Sequence, residues 1–87
     1  MNRSDIEMEI RTTLAQLTDQ DTSGIPVDRD LGDALGLDSL GKLELLAEVE
    51  DRFDLLFDDV DMTQAKTIDG FIEIAERNLA HAETEAG

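Results

Sequence analysis

Apolar residues recur at helical spacing in several stretches of the chain, and glycine, proline and aspartate separate those stretches. Ile6, Ile10, Thr13, Leu14 and Leu17 fall within about 100° of one helical face, and Ser4 followed by Glu7 has capping-box spacing. A first helix is therefore predicted over residues 4–18. A second should open at Asp38 or Ser39, both good caps, and run to about Phe53. Its wheel sets Leu40, Leu43, Leu46, Ala47, Val49 and Phe53 on a broad apolar side against a polar wedge of Glu44, Glu48, Asp51 and Arg52. Residues 54–66 are mixed, with Leu55 and Phe57 as core anchors and a short helix expected near 59–65. Thr67 then caps a last helix in which Ile68, Phe71, Ile72, Ala75 and Leu79 form one stripe. Beyond it, residues 80–87 read as a polar tail that should fray.

The stretch from Thr18 to Leu37 has no such period. Gly24, Pro26, Gly32 and Gly36 interrupt it, and Asp19, Asp21, Asp28, Asp30 and Asp33 add charge, so it reads as a long loop. Ile25, Val27, Leu31, Leu35 and Leu37 are the residues expected to pin it to the core. Connections this long inside a compact domain are often functional. No strand pattern or internal repeat competes, and the expected architecture is an all-α four-helix bundle with three longer helices and one short third helix. It should form a single domain over residues 1–87, with its core over 4–79.

Composition narrows the function. The chain has 87 residues, 22 acidic and 7 basic, for a net charge of −15. A nucleic-acid binder needs a basic footprint, which is the opposite of this balance. The same sign argues against an anionic membrane surface, and no run of apolar residues is long enough to insert into a bilayer. Partners should be basic, cationic or neutral. Acidity with 3% aromatics could describe a disordered chain, but 40% hydrophobic residues at helical spacing point to a folded one. With no cysteine there is no disulfide, thiolate nucleophile or cysteine metal site. Residues 1–11 lack the apolar core of a secretory signal, so a cytoplasmic protein is expected; a monomer is expected as well.

Candidate chemistry comes down to a few residues. Gly36-Leu37-Asp38-Ser39-Leu40-Gly41 lacks the glycine two places before the serine that a nucleophile elbow needs, because Leu37 stands there. The single histidine, His81, lies in the expected tail, away from any nucleophile. No catalytic residue is assigned. Asp19, Asp21, Ser23, Gly24 and Asp30 match part of a calcium-binding EF-hand loop. Pro26 falls where that loop offers a backbone amide, and Asp30 replaces the longer glutamate that closes it, so a calcium-binding module at Asp19–Asp30 is a remote alternative and no metal ligand is assigned. Ser39 is different: it stands at a helix start, where free amides and the dipole favour an attached phosphate.

Leu35-Gly36-Leu37-Asp38-Ser39-Leu40, then Leu43-Glu44-Leu45 and Glu50-Asp51-Arg52-Phe53, resemble the D-S-L attachment motif and second helix of the acyl carrier proteins. Thr67-Ile68-Asp69-Gly70-Phe71-Ile72 resembles the start of that family's last helix, in ungapped register with the serine. The resemblance implies that Ser39 is esterified to 4′-phosphopantetheine by a phosphopantetheinyl transferase using coenzyme A, and that the arm's thiol holds cargo as a thioester. It also implies a carrier and not a catalyst, docking through its second helix on basic patches of acyl-transfer enzymes. Carried over residue by residue, Asp38, Glu44, Glu50 and Asp51 match acidic recognition positions, and Leu40, Leu43 and Ala47 match apolar contacts near the arm.

This chain departs from the common fatty-acid type at Gly41-Lys42, where an acidic residue usually follows D-S-L. It departs again at Asp58, which replaces a typical proline, and at Ala47, which is smaller than usual. Those differences point away from housekeeping fatty-acid synthesis and towards a specialised stand-alone carrier, in a family whose members deliver acyl groups to enzymes of fatty-acid, polyketide or other specialised biosynthesis. The alternative within the superfamily is an aminoacyl or peptidyl carrier loaded by an adenylating ligase, although aspartate before the serine favours the acyl type. Residues 38–61 hold nine acidic and two basic side chains, so nearly half of the net charge falls in 24 residues that begin just before Ser39.

Overall fold

The computed structural model describes residues 2–86, with side chains described for 2–79. Among them are five helices and no strand: α1 (Arg3–Thr18), α2 (Leu31–Leu35), α3 (Ser39–Phe53), α4 (Asp59–Gln64) and α5 (Ile68–Ala86). Packing is centred on α5, which contacts both α1 and α4, while α3 lies against α1. No helix is long and apolar enough to cross a membrane among the described residues.

The first helix begins at Arg3 and not at residue 4. Asn2, as good a cap as serine, accepts the Asp5 N–H on its side chain at 2.9 Å. The Ser4–Glu7 spacing is not used as a box; Glu7 instead accepts from Arg11 Nε at 3.0 Å. Starting early brings Arg3 onto Asp69 and Glu76 of α5. Ile6, Ile10 and Leu14 are buried as the period predicts.

The connection after α1, which reads as loop in the sequence, contains the short helix α2. Its five residues are too few to show a period, and Gly32 and Asp33 are weak helix formers. What makes it a helix is its surroundings. Asp30 accepts the Asp33 N–H at 3.1 Å, Leu31 and Leu35 are both buried, and the Leu31 N–H donates to the Lys66 carbonyl at 2.8 Å. Gly36 ends the helix in the left-handed region, at φ 69°. Earlier in the connection Thr22 is buried and stitched to α1. Its hydroxyl donates to the Arg11 carbonyl at 2.7 Å, and its own carbonyl accepts from Arg11 at 2.5 Å.

The third helix occupies the predicted span and buries only part of the predicted apolar side, together with Leu45. Leu45, Leu46, Val49 and Phe53 are in the core, whereas Leu40 and Leu43 are 64% and 56% exposed and Ala47 is exposed. The apolar arc of the wheel is wider than the face that neighbouring helices cover, and Leu45, left out of that arc, is buried. In α5, Ile74 joins Ile68, Phe71, Ile72 and Ala75 in full burial, since α1 and α4 pack on it from two directions. The backbone of α5 is helical from Ile68 to Ala86. Side chains from residue 80 onward, His81 included, and Gly87 lie outside the described residues.

A short helix, α4, is secured by its first turn. Asp58 caps it in a reciprocal box with Asp61, accepting the Asp61 N–H at 2.8 Å while Asp61 accepts the Asp58 N–H at 3.1 Å. Asp61 is buried and also accepts from Arg77 and Asn78 of α5. Burial pushes its carboxyl up, but the hydrogen bonds from Arg77, Asp58 and Asn78 and the charge of Arg77 outweigh that and hold it below its ordinary value. Where α4 gives way to α5, Gly70 lies against the Gln64 carbonyl so closely that a Cβ there would collide with it.

Two outcomes follow. Gly70→Ala should lower stability by about 2 kcal/mol despite alanine's better helix propensity, because a backbone carbonyl cannot yield cheaply; a denaturation midpoint equal to wild type would refute the contact. Asp61→Asn should cost about 2 kcal/mol at neutral pH. A depressed folded-state pKa stabilises above the unfolded value of 3.8 and stops doing so as pH falls through the folded one. The gap between wild type and variant in urea titrations should therefore close below pH 3.8 and be constant above about pH 6.

Candidate functional site

Ser39 is placed by a short turn between two caps. Gly36 closes α2 with positive φ, Leu37 follows with its side chain half-buried, and Asp38 takes the extended conformation of a helix cap. Asp38 Oδ1 accepts the Gly41 N–H at 2.8 Å, and the Asp38 carbonyl accepts the Lys42 N–H at 3.0 Å. Ser39 is the first helical residue. Helix geometry leaves the N–H groups of Ser39 and Leu40 without intrahelical acceptors, and both residues are exposed. An exposed hydroxyl beside open amides at the positive end of a fifteen-residue helix suits a phosphate ester. The phosphopantetheine group implied by the sequence resemblance fits this position.

The expected recognition residues lie largely together. Leu40, Leu43 and Ala47 project within about 60° of one another, on the side of α3 away from Leu45 and Val49. Glu44 and Asp51 flank that row and are exposed, as is Asp38 beside Ser39. Glu50 differs from the expectation: it is half-buried, and its Oε2 accepts the Phe57 N–H at 2.7 Å. That bond anchors the segment leading to α4. Seven residues separate the pair, which is no helical spacing, so the sequence carries no signal for it. The displayed face is acidic with an apolar row through it.

Asp19, Asp21 and Asp30 serve three separate local purposes. Asp19 ends α1 in the left-handed region, at φ 55°. The Asp21 carboxylate accepts from the Ser23 N–H at 2.9 Å and the Ser23 hydroxyl at 2.7 Å, which holds its carboxyl below the ordinary value. Asp30 caps α2. Among the described residues no group of three or more His, Cys, Asp or Glu side chains is gathered closely enough to hold a metal ion. An open groove of about 730 Å³ runs between α1 and this loop, past Met8, Thr12, Ala15 and Asp19. None of its lining comes from α3.

Comparison with known proteins agrees with this geometry. The family model described as the phosphopantetheine attachment site matches residues 9–75. An acyl carrier protein from Coprothermobacter proteolyticus is 33% identical over 79 residues, covering 91% of this chain and 96% of that one. Another from an Exiguobacterium species is 28% identical over 79 residues, covering 91% of this chain and all of the relative. The fold matches a solved acyl carrier protein from Enterococcus faecalis with a TM-score of 0.73 at 20% identity, covering 90% of this chain and 99% of that one.

Removing the cap should loosen the first turn of α3. Asp38→Ala is expected to cost about 1 kcal/mol and Asp38→Asn much less, because asparagine caps nearly as well. Urea denaturation of the three proteins checks this, and equal losses for alanine and asparagine would show that the cap is not what Asp38 contributes.

Proposed function

The chain belongs to the phosphopantetheine-attachment family, in which its named relatives are acyl carrier proteins, and from that premise we propose that Ser39 is the attachment serine. The supporting observation is its position: exposed, first in α3, directly after the Asp38 cap, and inside the matched span of residues 9–75. When attached, the arm supplies the terminal thiol that holds an acyl group as a thioester, a function for which this cysteine-free chain has no side chain of its own.

The protein's own residues hold and present. Asp38 fixes the first turn, and the open amides of Ser39 and Leu40 face the negative charge of the phosphodiester. Leu40, Leu43 and Ala47, with Asp38, Glu44 and Asp51 around them, offer an acidic surface with apolar contacts to a phosphopantetheinyl transferase, a loading ligase and acyl-transfer enzymes bearing basic patches. Opposite charge speeds and orients such encounters more than it tightens them, which suits a carrier that must leave each enzyme in turn. Glu50 contributes through the Phe57 amide more than through a free charge. In this reading the chain is a cosubstrate of other enzymes and not a catalyst, working as a cytoplasmic monomer.

Incubation with coenzyme A and a broad-specificity phosphopantetheinyl transferase tests it by intact mass. Wild type should gain one phosphopantetheine and Ser39→Ala none; an unmodified wild type beside a control carrier that loads would overturn the assignment. Cargo mass on protein purified from its host separates an acyl load from an aminoacyl one.

A further inference from the structure

Two glycines stand where α2 meets the first turn of α3, and each receives a side chain from the opposite side of that joint. A Cβ on Gly32 in α2 would lie 2.9 Å from Lys42 Cε, 3.1 Å from Lys42 Nζ and 3.0 Å from Asp30 Oδ1. At Gly41 in α3, it would lie 3.1 Å from Leu37 Cδ2. Lys42, which in the sequence reads as a break in an acidic docking face, thus lies along α2. Its Cε and Nζ both lie against the Gly32 backbone, and the side chain is otherwise exposed. Long cationic side chains commonly cover backbone and apolar surface in this way while the charged end stays in water.

Gly32 matters to the site because its carbonyl accepts the N–H groups of both Gly36 and Leu37, the latter at 3.1 Å. Those residues make the turn that delivers Asp38 and Ser39. We infer that Lys42 is a positioning residue for the attachment serine: laid over Gly32 of α2, it latches α2 to α3 by packing, and with Leu37 seated at Gly41 it holds the turn before Ser39 at both ends. The inference rests on Ser39 being the attachment serine. A looser turn presents the hydroxyl in more orientations, so a smaller fraction of transferase encounters is productive. Because Lys42 acts through the turn, the loss falls on kcat and not on KM.

The test uses Lys42→Ala, Lys42→Met and Gly32→Ala in the full chain. Gly32→Ala keeps the lysine and its charge but crowds its seat, and because the added methyl also meets the Asp30 cap it is read only beside Lys42→Ala, which leaves that cap alone. Hydrogen exchange of the Leu37 amide, read by NMR on unloaded protein, reports the latch without any cofactor; loading kinetics with a phosphopantetheinyl transferase report its consequence. Lys42→Ala and Gly32→Ala should both speed Leu37 exchange and both lower kcat for loading about fivefold, with KM within about twofold. Lys42→Met, which keeps the stem, should recover part of both. Unchanged Leu37 exchange in Lys42→Ala overturns the latch, and unchanged exchange with a raised KM assigns Lys42 to direct contact with the transferase instead. Faster exchange with wild-type kcat overturns the positioning role. Failure of wild type to load would overturn the attachment reading, while Leu37 exchange would still decide the latch.

Discussion

Two backbone hydrogen bonds, from Leu31 N–H to the Lys66 carbonyl at 2.8 Å and from Asp69 N–H to the Val27 carbonyl at 2.9 Å, tie the connection after α1 to the beginning of α5. In the same place Gly70 admits the Gln64 carbonyl, and further along α5 Asp61 joins α4 to Arg77 and Asn78. A chain of 87 residues has a thin core, and a long connection cannot fix its own backbone without partners for its polar groups. Here the partners are at one joint, over the fully buried Ile68, Phe71 and Ile72. Because α2 is held there and ends just before Leu37, the same joint determines where Ser39 stands.

Charge is distributed to match that arrangement. Arg3, Arg11, Arg52 and Arg77 form ion pairs with Asp69 and Glu76, Glu7, Glu9, and Asp61 respectively. Even Arg52, on α3, turns to α1, where it meets Glu9 and Gln16. Most of these pairs are exposed and individually weak. Their effect is to draw positive charge onto the helix junctions, while Asp38, Glu44, Glu48 and Asp51 remain exposed along α3. A field of one sign over an exposed apolar row steers a basic partner at long range and is weakened by salt.

Several residues near the serine carry structural and functional duties together. Asp38 is both a cap and part of the proposed recognition surface, and Glu50 holds the Phe57 amide at the margin of that surface. Gly41, costly within a helix by about 1 kcal/mol relative to alanine, is where Leu37 packs. An apparent gap in the acidic motif is thereby a seat in the packing.

Local chemistry made the main elements readable. Helical periods in 4–18, 38–53 and 68–79 are strong because each repeats over several turns, and Asp38 and Thr67 cap where their side-chain types favour capping, Thr67 accepting the Gly70 N–H at 2.9 Å. The D-S-L motif, its place at a helix start and the acidic excess beside it were likewise legible, since capping, dipole and net charge are near-neighbour properties. Tertiary structure alone decided that Leu31–Leu35 is a helix, that α3 buries Leu45 while showing Leu40, Leu43 and Ala47, that Glu50 faces the Phe57 amide, and that Lys42 lies on Gly32. A hydrophobic period shows which residues are able to be buried, but the neighbour that arrives to bury them comes from elsewhere in the chain, and no local pattern encodes its direction.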